Sequence, residues 1–117
     1  MAKKKKVDEE EELSDLRARV RELKYEDDDE REKTIKEALA SGKDDILAPI
    51  YFHLGVNEKK YSVAIDYLTR AREAWRREGH AYYVRSAEKR ISMRKEEEQE
   101  KRNSLVGRVK GWFKKAA

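Results

Sequence analysis

Tyr61, Ala64, Ile65, Leu68, Ala71 and Trp75 follow one another in steps of three and four, and Gly79 comes soon after the last of them. That spacing lays every apolar side chain along one stripe of an α-helix, whereas a strand of period two would scatter them over both faces. Lys59, Lys60, Asp66, Arg70, Glu73 and Arg77 fill the opposite surface, which therefore faces water. A helix with one greasy stripe must bury it against another helix, so the remaining chain is read for partners. A fifth helix is expected from about His80, with Tyr83, Ala87 and Ile91 on its stripe, and Gly79 as the stop between the two. From Arg94 to Arg102 every residue is charged or an amide, a solvent-exposed helical extension.

Composition agrees with helices and narrows the rest. Only 5 Gly and 1 Pro occur in 117 residues, too few for a turn-rich β-sandwich. With 46% charged and 38% hydrophobic residues, the chain can enclose one modest core and no large active-site cavity. The absence of cysteine excludes a disulfide scaffold, a Cys-based zinc site and a thiol nucleophile. The fold class expected is all-α: a small antiparallel helical bundle.

Upstream, residues 1–12 are almost wholly charged and read as a disordered tail. Leu13, Leu16, Val20 and Leu23 then make an a/d pattern that Asp27 ends after about two heptads. So short a seam packs on the rest of the chain or on a partner, a coiled-coil dimer seam being the alternative. Acids around Asp28 favour the start of a second helix carrying Ile35, Ala38 and Leu39, with Ser41-Gly42 as its stop. Asp44 or Asp45 is placed to cap a third helix, which Gly55 is expected to close; Asn57 is placed to cap the fourth.

The stretch Ile50–Ala74 resembles a tetratricopeptide (TPR) repeat. Tyr51-x-x-Leu54-Gly55 stands on the first helix, and Tyr61-x-x-Ala64-Ile65-x-x-Leu68-x-x-Ala71 on the second. The resemblance extends over residues 45–92, about one and a half units, with the hairpin itself at about 45–78. It implies a helix-lined surface for protein or peptide recognition. Its turn is about three residues shorter than the standard repeat, and a plain antiparallel bundle accounts for much of the same pattern.

Catalysis finds little to stand on. His53 and His80 are the only histidines, and neither sits in a metal-type spacing. No phosphate loop, nucleophile elbow or dinucleotide fingerprint occurs, so no enzyme, cofactor or metal is expected. Three binding readings remain. The first is a cytoplasmic adaptor that docks protein partners, a second copy of itself included, with Tyr51, Phe52, Leu105, Val109, Trp112 and Phe113 as anchors. The second is RNA or ribonucleoprotein binding by Arg70, Arg72, Arg76, Arg77, Arg85, Lys89 and Arg90, set among aromatic residues. The third uses residues 103–117, whose Leu105, Val106, Val109, Trp112 and Phe113 share one helical face while every charge is positive. Such a basic amphipathic helix, capped by Asn103 or Ser104, suits an anionic membrane surface through residues 104–115, a protein partner, or a fold-back cap on the bundle.

Overall fold

One helix, α3 (Asp44–Asn57), is apolar on two opposite sides, and the rest of the chain arranges itself around it. The computed structural model describes the backbone of residues 2–116 and the side chains of residues 9–107. Around α3 stand α1 (Ala2–Arg21), a 3-10 turn (Leu23–Tyr25), α2 (Asp28–Ser41), α4 (Tyr61–Arg77) and α5 (Ala81–Ala116). The architecture is a small all-helical bundle, with no strand among the described residues.

On one side of α3, Ile46, Ile50 and Leu54 recur every fourth residue and meet Leu16 and Leu23 from the N-terminal segment and Ala38 from α2. On the other side, Ala48, Tyr51 and Phe52 meet Ala71, Ala74 and Trp75 of α4 and Ala87 of α5. Of the a/d residues, Leu16 and Leu23 thus pack within their own chain, and Leu13 and Val20 are partly buried beside them. α1 also takes in residues 2–12, read from composition as a disordered tail. Lys, Glu and Ala are strong helix formers, so the helix holds although residues 9–12 are exposed.

The helix boundaries have local causes. Asp27 caps α2, its carboxylate accepting from the Glu30 amide at 2.8 Å. Gly42 ends α2 with φ 67°. Gly79 ends α4 with φ 75°, while the His80 amide donates back to the Trp75 carbonyl at 3.0 Å. Three expectations fail at α3. Neither Asp44 nor Asp45 caps it: the N-cap is Lys43, and both acids lie inside the first turn, where they still suit the helix dipole. Gly55 does not close it: the helix continues to Asn57, and Gly55 is buried where α4 crosses. Asn57 does not cap α4 but donates to the His53 carbonyl at 2.9 Å.

Polar groups pin the helices to one another. Arg77 donates two bonds of 2.9 Å to Asp44, tying the end of α4 to the start of α3. This guanidinium holds the Asp44 carboxyl below the usual carboxylate range. Arg17 reaches Asp45 at 2.6 Å, and Arg19 pairs with Glu37 and, at 3.2 Å, with Asp15. Arg31 donates to the carbonyls of Leu23 at 3.1 Å and Glu26 at 2.8 Å, which fixes the 3-10 turn.

Candidate interaction surface

Phe52, Trp75, Tyr83 and Tyr82 form a stair of rings that climbs from the second cluster to the surface. Successive centroids are 5.4, 5.1 and 5.5 Å apart. Trp75 is buried at the foot, Tyr83 is 47% exposed and Tyr82 is 73% exposed at the top. His80 meets the edge of Tyr83 at 5.8 Å. The stair exists because the Gly79 turn brings α5 back against α4 soon after Trp75, so rings from α3, α4 and α5 stack in series. Beside it, Phe52, Ser86, Lys89, Arg90 and Met93 line a groove between α3 and α5. Tyr82, Ser86, Lys89 and Met93 lie four, three and four residues apart on α5, hence on one face.

The seven basic residues read from the sequence as one group divide in two. Arg70 pairs with Asp66, Arg72 with Glu73, Arg76 with Glu73 and Glu88, and Arg77 with Asp44. The positive charge of these four is answered within the chain. Arg85, Lys89 and Arg90 have no carboxylate partner among the described residues, and all three are exposed. The structure also parts the two aromatic anchors. Phe52 opens on the groove, whereas Tyr51 stacks on Tyr67 at 6.2 Å with the Arg70 guanidinium 5.8 Å over its ring. Met93 and Ser86 join the groove without having drawn notice in the sequence. Their position follows from α5 facing α3 there, which only the packing reveals.

His53 is half-buried on α3, and burial together with the charge of Arg31 pushes its pKa down from the ordinary value. Among the described residues, no group of three or more His, Cys, Asp or Glu is placed to hold a metal ion. No helix is long and apolar enough to cross a membrane, again among the described residues.

α5 is the second feature. It runs unbroken for 36 residues, about 54 Å at the usual helical rise. Val84 rather than Tyr83 completes its buried stripe: Val84 and Ala87 join the cluster of α3 and α4, Ile91 is buried, and Tyr83 stays 47% exposed. Arg94 then donates to the carbonyls of Val56 at 3.0 Å and Glu58 at 2.9 Å. These oxygens sit at the end of α3, where a helix runs out of its own donors and the dipole is negative. The Arg94 guanidinium and Lys101 ammonium also lie 6.0 and 5.9 Å from the Tyr61 ring. From 102 to 107 every residue is exposed, Leu105 by 53% and Val106 by 52%. No helix starts at Asn103 or Ser104, and the segment does not fold back as a cap, because α5 continues straight through both. The side chains of Val109, Trp112 and Phe113 lie outside the described residues. Comparison with family models, curated proteins and solved structures found no match for this chain.

Proposed function

We propose that the protein is a non-catalytic adaptor, a TPR-like helical hairpin that presents helix faces to protein partners. The observation that carries this reading is the C-terminal third of α5. Leu105 and Val106 are half exposed on a helix that outlasts its own bundle, and apolar side chains held out in this way mark a docking element. The antiparallel pairing of α3 and α4 supports the hairpin, and the exposed Tyr82 and Tyr83 supply further aromatic anchors of the kind found at interfaces. The test compares the full chain with one ending at residue 103, each immobilised and offered cell extract, with bound proteins identified by mass. Loss of the tail lowers capture about tenfold, a difference of about 1.4 kcal/mol, while the melting temperature moves by less than about 2 °C. A shortened chain that melts lower and keeps its partners overturns the assignment.

A second reading, RNA contact, is favoured by one observation: Arg85, Lys89 and Arg90 stand unanswered beside the exposed Tyr82 ring. Cations on phosphates with a ring beneath a base are how single strands are gripped. Anisotropy with a labelled single-stranded RNA tests it. Three phosphate contacts at about 0.7 each give a slope near −2 in log affinity against log salt. No binding at low salt removes this reading.

A further inference from the structure

The α1–α2 groove is lined mainly by acids and the last segment of α5 carries only cations, and each is half of an incomplete helix packing. α1 and α2 run antiparallel, with Arg19 beside Glu37, and open a groove of about 670 Å³. Leu13, Leu16 and Ala40 form its apolar floor. Glu9, Glu12, Asp15 and Glu37 stand along its rim against Arg19 and Lys43. Arg19 is already shared between Asp15 and Glu37, so the groove keeps a negative balance. The last segment of α5 has the opposite character: beyond Lys101 it carries Arg102, Arg108, Lys110, Lys114 and Lys115 and no acid at all.

The two features cannot meet within one chain. The groove adjoins Ser41 and Lys43, at the start of α3. Arg94 holds α5 to the other end of α3, at Val56 and Glu58, and the overhang leaves from there. The 14 residues of α3 separate these ends by about 21 Å, and α5 points away from the groove as an unbroken helix. The overhang, residues 102–116, reaches about 22 Å further outward. The molecule is accordingly long, with extents of 80 × 32 × 22 Å.

We infer that the basic amphipathic end of α5 docks into the acidic α1–α2 groove of a second copy of this chain. A helix laid between α1 and α2 covers the half-buried Leu13, and its cations meet the carboxylates on the rim. Because donor and acceptor surfaces lie at opposite ends, the contact is heterologous and repeats head to tail, in an open row or a closed ring. The inference rests on the reading of the tail as a protein-docking helix and names its partner.

Sedimentation of the full chain tests it, from about 5 to about 500 μM and at about 50 and 500 mM salt, where screening differs strongly. Average mass rises with concentration at low salt, beyond a dimer, and returns towards the monomer at high salt. Two variants separate specific docking from general stickiness. One carries Glu9→Lys and Glu12→Lys in the groove; the other carries Arg108→Glu, Lys110→Glu and Lys114→Glu in the tail. Each alone associates at least about tenfold more weakly, and an equimolar mixture regains association, since each now meets its opposite. A wild-type chain that stays monomeric throughout overturns the inference, as does a mixture that stays monomeric. Monomeric protein whose tail binds vesicles of phosphatidylserine and phosphatidylcholine assigns the tail to a lipid surface and overturns it too. Monomeric protein whose shortened form still loses other partners overturns self-docking and leaves the adaptor reading standing.

Discussion

Gly55 is the residue on which the α3–α4 pairing turns. A Cβ built there would lie 2.6 Å from Leu68 Cγ and 3.1 Å from the Ala64 carbonyl oxygen. Leu68 is wholly buried, and the carbonyl belongs to a helix, so neither can retreat. Alanine ordinarily favours a helix over glycine by about 1 kcal/mol. Here the forced separation of two packed helices outweighs that gain, and Gly55→Ala should destabilise the fold by about 1–3 kcal/mol in urea unfolding. Two residues earlier, His53 is set against protonation by burial and by Arg31. Its folded pKa lies below its unfolded one, so the unfolded chain takes up a proton first as pH falls through about 6.5. Stability is therefore undiminished above that pH and declines on the acid side. Replacement by Gln should flatten the melting temperature between about pH 7.5 and 5 relative to wild type; equal slopes in the two proteins would clear His53 of the effect.

Among the elements, the end of α3 depends on a residue of α5. Arg94 satisfies two carbonyls there, and Arg94→Met leaves both without that donor. The expected cost is about 1–3 kcal/mol, with amide exchange rising first in residues 56–60; exchange that rises uniformly would show that the clamp has no local role. Arg94 also shows where the sequence stopped being legible. In a run of charged and amide residues its side chain looks like solvent-facing surface, and only the passage of α5 alongside α3, in the same direction, gives it a task. The stripe of α4 was readable because burial there obeys one helical period. So were the Gly42 and Gly79 stops, since each needs a positive φ that glycine adopts at little cost. α3 was harder: it is apolar around most of its circumference, so its period says little, and Gly55 was mistaken for an end when it marks a crossing. On the candidate surface, charge type was visible and charge pairing was not. Arg77 and Arg85 look alike in sequence until Asp44, 33 residues away, engages one of them.

At the scale of the molecule, both buried clusters run through α3, and this sets how the bundle comes apart. Ile46 and Ile50 serve the N-terminal cluster, Ala48 and Phe52 the C-terminal one. α1 and the 3-10 turn after it are joined to the rest mainly through Leu16, Leu23 and the Arg17 and Arg19 ion pairs, a thin attachment beside the long seam of α3, α4 and α5. Exposed ion pairs add little, typically below about 1 kcal/mol each. The N-terminal segment should then open as a unit of its own at a lower free energy than the centre. Ile50→Ala and Leu16→Ala make opposite forecasts from similar chemistry. Each removes a buried aliphatic side chain, at a cost of about 2–5 kcal/mol where the site cannot collapse. Loss at Ile50, wholly enclosed in α3, should lower hydrogen-exchange protection in α4 and α5 as well as in α1 and α2, because both clusters lose the helix they share. Loss at Leu16 should release α1 and α2 and leave the amides of Leu68 to Trp75 as slow as before. If Leu16→Ala speeds exchange in α4 as much as in α1, the two clusters melt as one body and α3 is no hinge between them.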